Sequence, residues 1–429
     1  MSLCSTESSP QKSTPVDQQS TDTIRSALLR FIAWLDTYGE TSFDHQSFFA
    51  GPIGGGAKAL YYRKPKLGTM AVAPMIFCEA FVPVARQLFW RKQRFPIADA
   101  HYAMGFALLA QLTGEEQYYD RAVHFLNILE KTRCPGYCHF CWGYPFDWVT
   151  RTGVMAADTP LITTTPYVYE AFSYVHRIDG KERWLEVMHS AAEHAATDIK
   201  DKEISADAAT AGYNPFDREG GVINASAYRA FLLMSAAVQF SCDNFRRIAE
   251  RNLNFVLRAQ QADGSWFYSI DGVRDFVDHF HTCFVLKALV KIDKLVGHEG
   301  CRRAIKAGVD YYVDHLFDHS GLPKPFSRAP RLTVYRRELY DYAECINLAV
   351  LLSGQFKKLD DRLATTLDDL FSHWHKRDGA FRSRRLLLGW DNVPMHRWAQ
   401  SQLFRSLCFL LSSEKQVTEY SDQLAVCKS

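Results

Sequence analysis

From residue 97 onward two kinds of helical pattern alternate without a break, and few architectures can bury such a sequence. One kind is apolar nearly all round and rich in small residues: YAMGFALLAQL, YVYEAFSYV, AYRAFLLMSAAVQF, FHTCFVLKALVKI, YAECINLAVLL and WAQSQLFRSLCFLL. The other has a single apolar face and is studded with charge, as in QYYDRAVHFLNIL, NFRRIAERNLNFVL and CRRAIKAGVDYYVDHLF. A helix apolar on every side is buried, and a one-faced helix lies outside it. Such patterns fall near 97–112, 116–132, 165–178, 181–199, 224–240, 243–260, 279–296, 299–317, 340–354, 359–375 and 394–412, and 23–38 completes six pairs. Six inner and six outer helices predict an all-α (α/α)6 toroid with a repeat of roughly 55–60 residues.

One toroid over 23–412 accounts for the repeats. Residues 1–22 are rich in Ser, Thr, Gln and Pro and read as a disordered tail, and 413–429 as a flexible one. The stretch 39–70 has few periodic apolar positions and is expected to be a long loop over one end of the fold. Its glycines, GPIGGGAK, do not complete the phosphate-loop spacing GxxxxGK[ST], and no strand pattern precedes them. The pattern over 71–90 is surplus to the six pairs. Glu79 and Arg86 within it argue for a buried amphipathic helix rather than a membrane span, either beside the first pair or as part of a seventh.

Fifty basic and 48 acidic side chains leave a formal charge of +2 with no long block of either sign, so nucleic acid is not an expected partner. No signal-peptide pattern and no run long enough to span a membrane are present, which suggests a soluble, cytoplasmic protein. Eleven cysteines, mostly on apolar helical faces, fit reduced core thiols. Cys134, Cys138, His139 and Cys141 in CPGYCHFC have thiolate spacing plausible for zinc, yet no second knuckle follows, so neither metal nor other cofactor is expected.

The links between helices are of two kinds. Those from inner to outer helix are tight, whereas those from outer to next inner helix, 133–164, 200–223, 261–278, 318–339 and 376–393, are long. All the long links precede inner-helix N-termini and so emerge at one end, where repeat proteins commonly bind their ligands. They carry CWGYPFDW, YNPFDREGG, GSWFYSIDG, GLPKPFSR and GWDN. Trp266 and Phe381 read as plugs of the repeat interface, while Trp142, Trp148 and Trp390, beside Asp147 and Asp391, offer ligand platforms. The inner-helix starts add Asp99, His101, Thr165, Tyr167, Asn224, Ser226, His396 and Arg397 to the same mouth. Thr, Asn and Asp there are ordinary caps; His, Tyr and Arg are not explained that way. The expected catalytic core is Asp278, His279, His281, Tyr340, Asp341 and Arg397, with Trp142, Asp147, Trp148, Arg151, Tyr167, Trp390, Asp391 and His396 binding substrate. Paired carboxylates, Asp278 and Asp341, suit glycoside hydrolysis. A Tyr or His base beside an Arg suits proton abstraction next to a uronic acid carboxyl, the chemistry of a lyase or epimerase.

The segment RNLNFVLRAQQADGSW (251–266) resembles the QW repeat of isoprenoid cyclase toroids at Gln261, Gly264 and Trp266, but the acidic DxDD cluster of those cyclases is absent. The unit ALLAQLTGEEQYYDRAVHFLNIL, with ADGSWFYS and DHFHTCFVLKAL, is more similar to six-hairpin carbohydrate-active proteins. Within that group 97–412 resembles VpsJ-like polysaccharide-biosynthesis proteins and the helical domain of glucuronyl C5-epimerases. The resemblance implies an oligosaccharide or sugar-conjugate substrate and work in polysaccharide biosynthesis or modification. A non-catalytic glycan-binding scaffold and an isoprenoid- or lipid-handling toroid stand as alternatives.

Overall fold

A computed structural model of the chain describes residues 18–330 and 333–426, with side chains described only as far as 413. Most of the expected N-terminal tail lies outside these residues, and the first helix, α1 (Gln18–Tyr38), starts ahead of 23. After it come α2 (Ser47–Ala50), α3 (Pro52–Arg63), α4 (Pro65–Phe81) and α5 (Arg86–Phe89). The repeats follow as α6 (Pro96–Thr113) and α7 (Glu116–Lys131), α8 (Thr165–Asp179) and α9 (Glu182–Thr197), α10 (Ile223–Phe240) and α11 (Asp243–Arg258). They continue as α12 (His279–Val296) and α13 (Glu299–His315), α14 (Leu339–Leu351) and α15 (Lys357–Asp369), and end with α16 (Ser401–Val426), which runs on past 412.

The two helix classes take the places their patterns dictate. Every residue of α6 from Pro96 to Ala110 is buried, whereas α7 buries Tyr118, Ala122, Phe125, Leu126 and Leu129, one stripe at helical spacing. Each inner helix (α6, α8, α10, α12, α14, α16) packs on the next, and α16 packs on α6, closing an (α/α)6 ring. The outer partner of α16 is α1, so the first helix of the chain completes its last pair. His396 pins this closure: Nε2 donates to the Gly39 carbonyl at 2.9 Å, and Nδ1 accepts from the Tyr102 hydroxyl at 2.6 Å.

Between pairs the layers approach closely. A Cβ on Gly308 of α13 would lie 2.6 Å from the Trp266 ring, and one on Gly105 of α6 would lie 2.5 Å from Phe404. Trp266 is buried and its indole donates to the Val256 carbonyl at 2.9 Å; Phe381 is buried against Phe31.

The long links form a rim of short antiparallel strands. β1 (Trp148–Thr150) pairs with β2 (Gly153–Met155), and β3 (Asp201–Ser205) with β4 (Ala208–Ala211), each inside one link. β5 (Val277–Asp278) pairs with β6 (Phe326–Arg328), and β7 (Tyr335–Glu338) with β8 (Arg384–Leu386), which also pairs with β9 (Trp390–Asp391). The β5–β6 and β7–β8 ladders join one link to the next.

The stretch 39–70 is not the expected loop, because α2, α3 and the first turns of α4 occupy most of it, and α3 packs against α4. Its glycines serve close approach: a Cβ on Gly54 would fall 1.8 Å from the Phe48 carbonyl oxygen, and one on Gly68 2.0 Å from Tyr61 Cα. The surplus pattern at 71–90 is therefore an accessory hairpin, not a seventh pair. It is held to the rim by two ion pairs, buried Arg86 with Asp391 at 2.7 Å and Glu79 with Arg384 at 2.7 Å. Contrary to the buried amphipathic helix expected there, much of the apolar surface of α4 is exposed. Among the described residues no helix is long and apolar enough to cross a membrane.

Candidate active site

At the rim end of the toroid the inner-helix N-termini and the long links enclose a cavity of about 220 Å³. Its walls are mainly tyrosine: Tyr144 and Tyr213 come from links, Tyr167 from α8, Tyr228 from α10, Tyr268 from the link before α12, and Tyr340 from α14. Trp148, Trp398 and the phenylalanines Phe276, Phe280 and Phe284 complete the aromatic surface. The polar members are His45, Gln46, Thr163, Asn224, His281 and Arg397, and among the described residues no carboxylate lines the space.

His281 is oriented by the start of its own helix. Asp278 caps α12, its Oδ1 accepting from the His281 backbone N–H at 2.9 Å, while its Oδ2 lies 2.6 Å from His281 Nδ1. A carboxylate only accepts, so Nδ1 carries the hydrogen and Nε2 is left as the basic nitrogen. Among α6, α8, α10, α12 and α14 this is the one N-cap made by a side chain, so capping does not explain the polar residues that begin the other inner helices.

Arg397 and Trp398 project from a π-helical turn, His396–Gln400, that leads into α16. Arg397 donates to both carboxylate oxygens of Asp44, at 2.9 and 2.7 Å, with Nη2 3.4 Å from His45 Nδ1. Burial opposes ionisation of Asp44, but the guanidinium overrides it and holds the carboxyl well below the usual range. Burial together with the charges of Arg397, Arg384 and Arg86 pushes His45 well below its ordinary value, so its ring is neutral. The cavity wall thus presents His281 backed by Asp278, a neutral His45, and Arg397 backed by Asp44.

The tyrosines form a hydrogen-bonding lining. Burial raises Tyr340 well above its ordinary value and Tyr167 to about 12, so both keep their hydroxyl hydrogens. Tyr340 accepts from Gln402 Nε2 at 2.6 Å and stacks on Trp398 with centroids 4.6 Å apart. The Tyr167 and Tyr228 hydroxyls are 2.6 Å apart, and Asn224 Oδ1 has no hydrogen-bond partner among the described residues. Beneath this layer the toroid axis is filled with paired charge, Lys287 with Glu344 and Lys291 with Glu170, each at 2.5 Å.

Of the residues singled out from sequence, the structure brings His281, Tyr340, Arg397, Trp148, Tyr167 and Asn224 to the cavity, with Asp278 behind His281. The others lie elsewhere. His279 turns to the outer layer, where Tyr312 donates to Nε2 at 2.7 Å and Nδ1 donates to the Leu316 carbonyl at 3.2 Å; burial lowers its pKa to about 3. Asp341 is buried outside the cavity with both oxygens unpartnered among the described residues. Burial and the nearby Glu338, Asp278 and Glu344 raise it well above the usual range, so it is protonated. Asp278 and Asp341 are therefore not two carboxylates facing across an open space.

Trp142 is core, donating to the Leu129 carbonyl at 2.8 Å, and Trp390 packs edge-on against Trp374 at 5.0 Å. Asp391 accepts from Arg86, and His396 is consumed in the ring closure. Asp147 is exposed and accepts from the Ala157 amide at 2.9 Å, and Arg151 is exposed at the β1–β2 turn. Among the described residues no three His, Cys, Asp or Glu side chains gather as a metal site, and the 134–141 segment is no exception. There the Cys134 amide donates to the Cys141 carbonyl at 2.8 Å and Cys138 is exposed.

Sequence reasoning missed His45, Gln46 and Trp398, while Tyr144 lies within the link motif CWGYPFDW. His45 and Gln46 carry no local signal, since they lie in the stretch read as loop. Tyr213 and Tyr268 lie within the link motifs YNPFDREGG and GSWFYSIDG, and Tyr228 lies one turn after Asn224.

No family model matches the chain, and no curated protein matches it. Solved structures do. The unsaturated glucuronyl hydrolase of a Bacillus species aligns with a TM-score of 0.60 at 12% identity, over 92% of this chain and 96% of that one. An unsaturated glucuronyl hydrolase specific for heparin aligns with a TM-score of 0.61 at 10% identity, over 94% and 99%. The cellobiose 2-epimerase of Bacillus thermoamylovorans aligns with a TM-score of 0.60 at 9% identity, over 75% and 88%. At such identities the likeness is one of architecture, and it places this chain among the six-hairpin (α/α)6 toroids.

Proposed function

We propose that the protein is a sugar-modifying enzyme that works by proton transfer on a unit of an oligo- or polysaccharide, in polysaccharide biosynthesis or modification in the cytoplasm. The observation that carries this is the His281–Asp278 pair opening into a tyrosine-lined cavity that no carboxylate lines. A histidine that acts as general base needs to be held in one tautomer, which Asp278 provides. Inverting or retaining hydrolysis needs two carboxyl groups flanking the bond, and the lining supplies none. With a uronic acid unit, His281 Nε2 takes the proton from the carbon next to the carboxyl group. Return of a proton on the opposite face gives the epimer; departure of the substituent on the next carbon gives an unsaturated sugar. Arg397, the tyrosine hydroxyls and Asn224 hold the sugar. The names of two solved neighbours, the cellobiose 2-epimerase and a D-mannose isomerase, agree with rearrangement of a sugar without loss of mass.

One observation favours a second reading: an aromatic cavity without carboxylates is also what a lipid- or isoprenoid-handling toroid would present. Six tyrosines, two histidines, Asn224 and Arg397 in that lining weigh against it, because a hydrocarbon ligand would desolvate them without replacing their hydrogen bonds.

The test is turnover of uronate-containing and neutral oligosaccharides in D2O. The expected result is deuterium at a ring carbon of recovered sugar for an epimerase, or an unsaturated sugar for a lyase, either one lost by about 10²- to 10⁴-fold in His281→Gln, while the sugar still raises the melting temperature of the variant. Cleavage that yields neither deuterium on carbon nor an unsaturated sugar, or full turnover by His281→Gln, overturns the proposal. Stabilisation by prenyl diphosphates and by no sugar moves the assignment to the second reading.

A further inference from the structure

The accessory hairpin breaks the usual rule of surface composition. Along α4 the outward positions Leu67, Met70, Pro74, Phe77 and Phe81 fall at helical spacing on one face, and every one is exposed, Met70 to 74% and Phe77 to 59%. The apolar surface continues through Val82 and Val84 to Leu88, exposed to 87%, without a charged exposed side chain between Lys66 and Arg91. A contiguous apolar face of this kind on a soluble domain marks a docking surface. The side turned inward is occupied by Gly68, Met75 and Ala80, so the helix is inside out relative to an ordinary surface helix.

The charges around the face identify what covers it. Exposed Arg63, Lys64 and Lys66 stand at the α3–α4 turn, and exposed Arg91 and Lys92 follow α5 at the other end. Between His45 and Ala98 the one acidic residue is Glu79, and it is held by Arg384. Tyr61 and Tyr62 at the turn and Trp90 beyond α5 add rings of the type that settle at the boundary between headgroups and acyl chains. An apolar face with cations and aromatic rings at both ends is complementary to an anionic lipid surface. At 17 residues α4 is about 26 Å long, shorter than the roughly 30 Å hydrocarbon core, which suits lying in the interface rather than crossing it. Residues 1–17, MSLCSTESSPQKSTPVD, offer little apolar surface with which to cover it.

We propose that α3, α4 and α5 form a membrane-docking element, the apolar face of α4 entering the interface of an anionic bilayer and bringing the cavity mouth to the lipid surface. The hairpin adjoins that mouth. Its α3 packs on β1, whose Trp148 lines the cavity, and His45 and Gln46, which also line it, immediately precede α2. Glycans attached to lipid are thereby the substrates whose sugar reaches the cavity while the anchor stays in the bilayer. Docking itself does not depend on the catalytic reading, because it is measured without substrate.

The experiment is flotation of the full chain with vesicles of phosphatidylcholine alone or with phosphatidylglycerol added, together with the molecular mass in solution. The expected result is binding to the anionic vesicles, weakened by salt, and reduced by roughly ten-fold or more in Met70→Ser/Phe77→Ser and in Lys64→Glu/Lys66→Glu. Both variants alter exposed positions and keep the wild-type melting temperature. Failure of the wild-type chain to bind anionic vesicles overturns the proposal, as does equal binding by Met70→Ser/Phe77→Ser. A dimer dispersed by the same substitutions, without vesicle binding, assigns the face to a second copy of the chain and also overturns it.

Discussion

Two histidines separated by one residue in the sequence, His279 and His281, have opposite environments because successive positions on a helix point about 100° apart. His281 meets the cavity; His279 meets the outer layer and is neutral, its pKa pushed down to about 3. A histidine depressed in the folded state binds its proton more readily when unfolded, so the stability it supports is present above about pH 6.5 and declines as pH falls toward 3. The pH dependence of unfolding between about pH 4 and 6 should therefore be shallower in His279→Gln than in the wild type by close to one proton. Denaturant melts of both proteins across that range measure it, and equal slopes would mean that His279 is charged in the fold. This distinction was not legible in the sequence, where both residues looked like members of one mouth. Helical phase relative to a ring of neighbours decides it, and local spacing does not carry that phase.

At the scale of the element, the alternation of helix classes was readable because burial differs between layers over many residues, as in α6 and α7. The hairpin was not readable. GPIGGGAK has poor intrinsic helix propensity, and the close approach of Gly54 to Phe48, like that of Gly68 in α4 to Tyr61, is what makes a glycine an advantage there. The aromatic plugs were readable in two repeats, at Trp266 in GSW and at Phe381 in GAF. Trp266 fills the space that Gly308 and Leu286 leave between α13 and α12, and its indole satisfies the Val256 carbonyl. Trp266→Ala should cost about 3–5 kcal/mol in a denaturant melt, the range for emptying an aromatic site in a packed core. Trp266→Phe should recover part of that, since it restores ring volume without the hydrogen bond.

For the whole molecule, the toroid followed from counting pairs, but the identity of the sixth outer helix needed the structure: α1 covers α16, and the ring joins the two ends of the chain. Phe31 stacks on Phe404 at 5.4 Å, and Trp34 and Tyr38 pack around His396, so α1 is part of the core and not a decoration. A chain begun at residue 40 should lose its cooperative thermal transition and bind hydrophobic dyes, and adding 18–39 as a separate peptide should restore part of the transition. The same arrangement bears on how the protein is made. At roughly 5–20 residues per second the ribosome needs some tens of seconds between releasing α1 and releasing α16. Throughout that interval the apolar stripe of α1 and one flank of α6 lack the surface they finally cover, so the nascent chain is an extended client for chaperones until its last helix emerges.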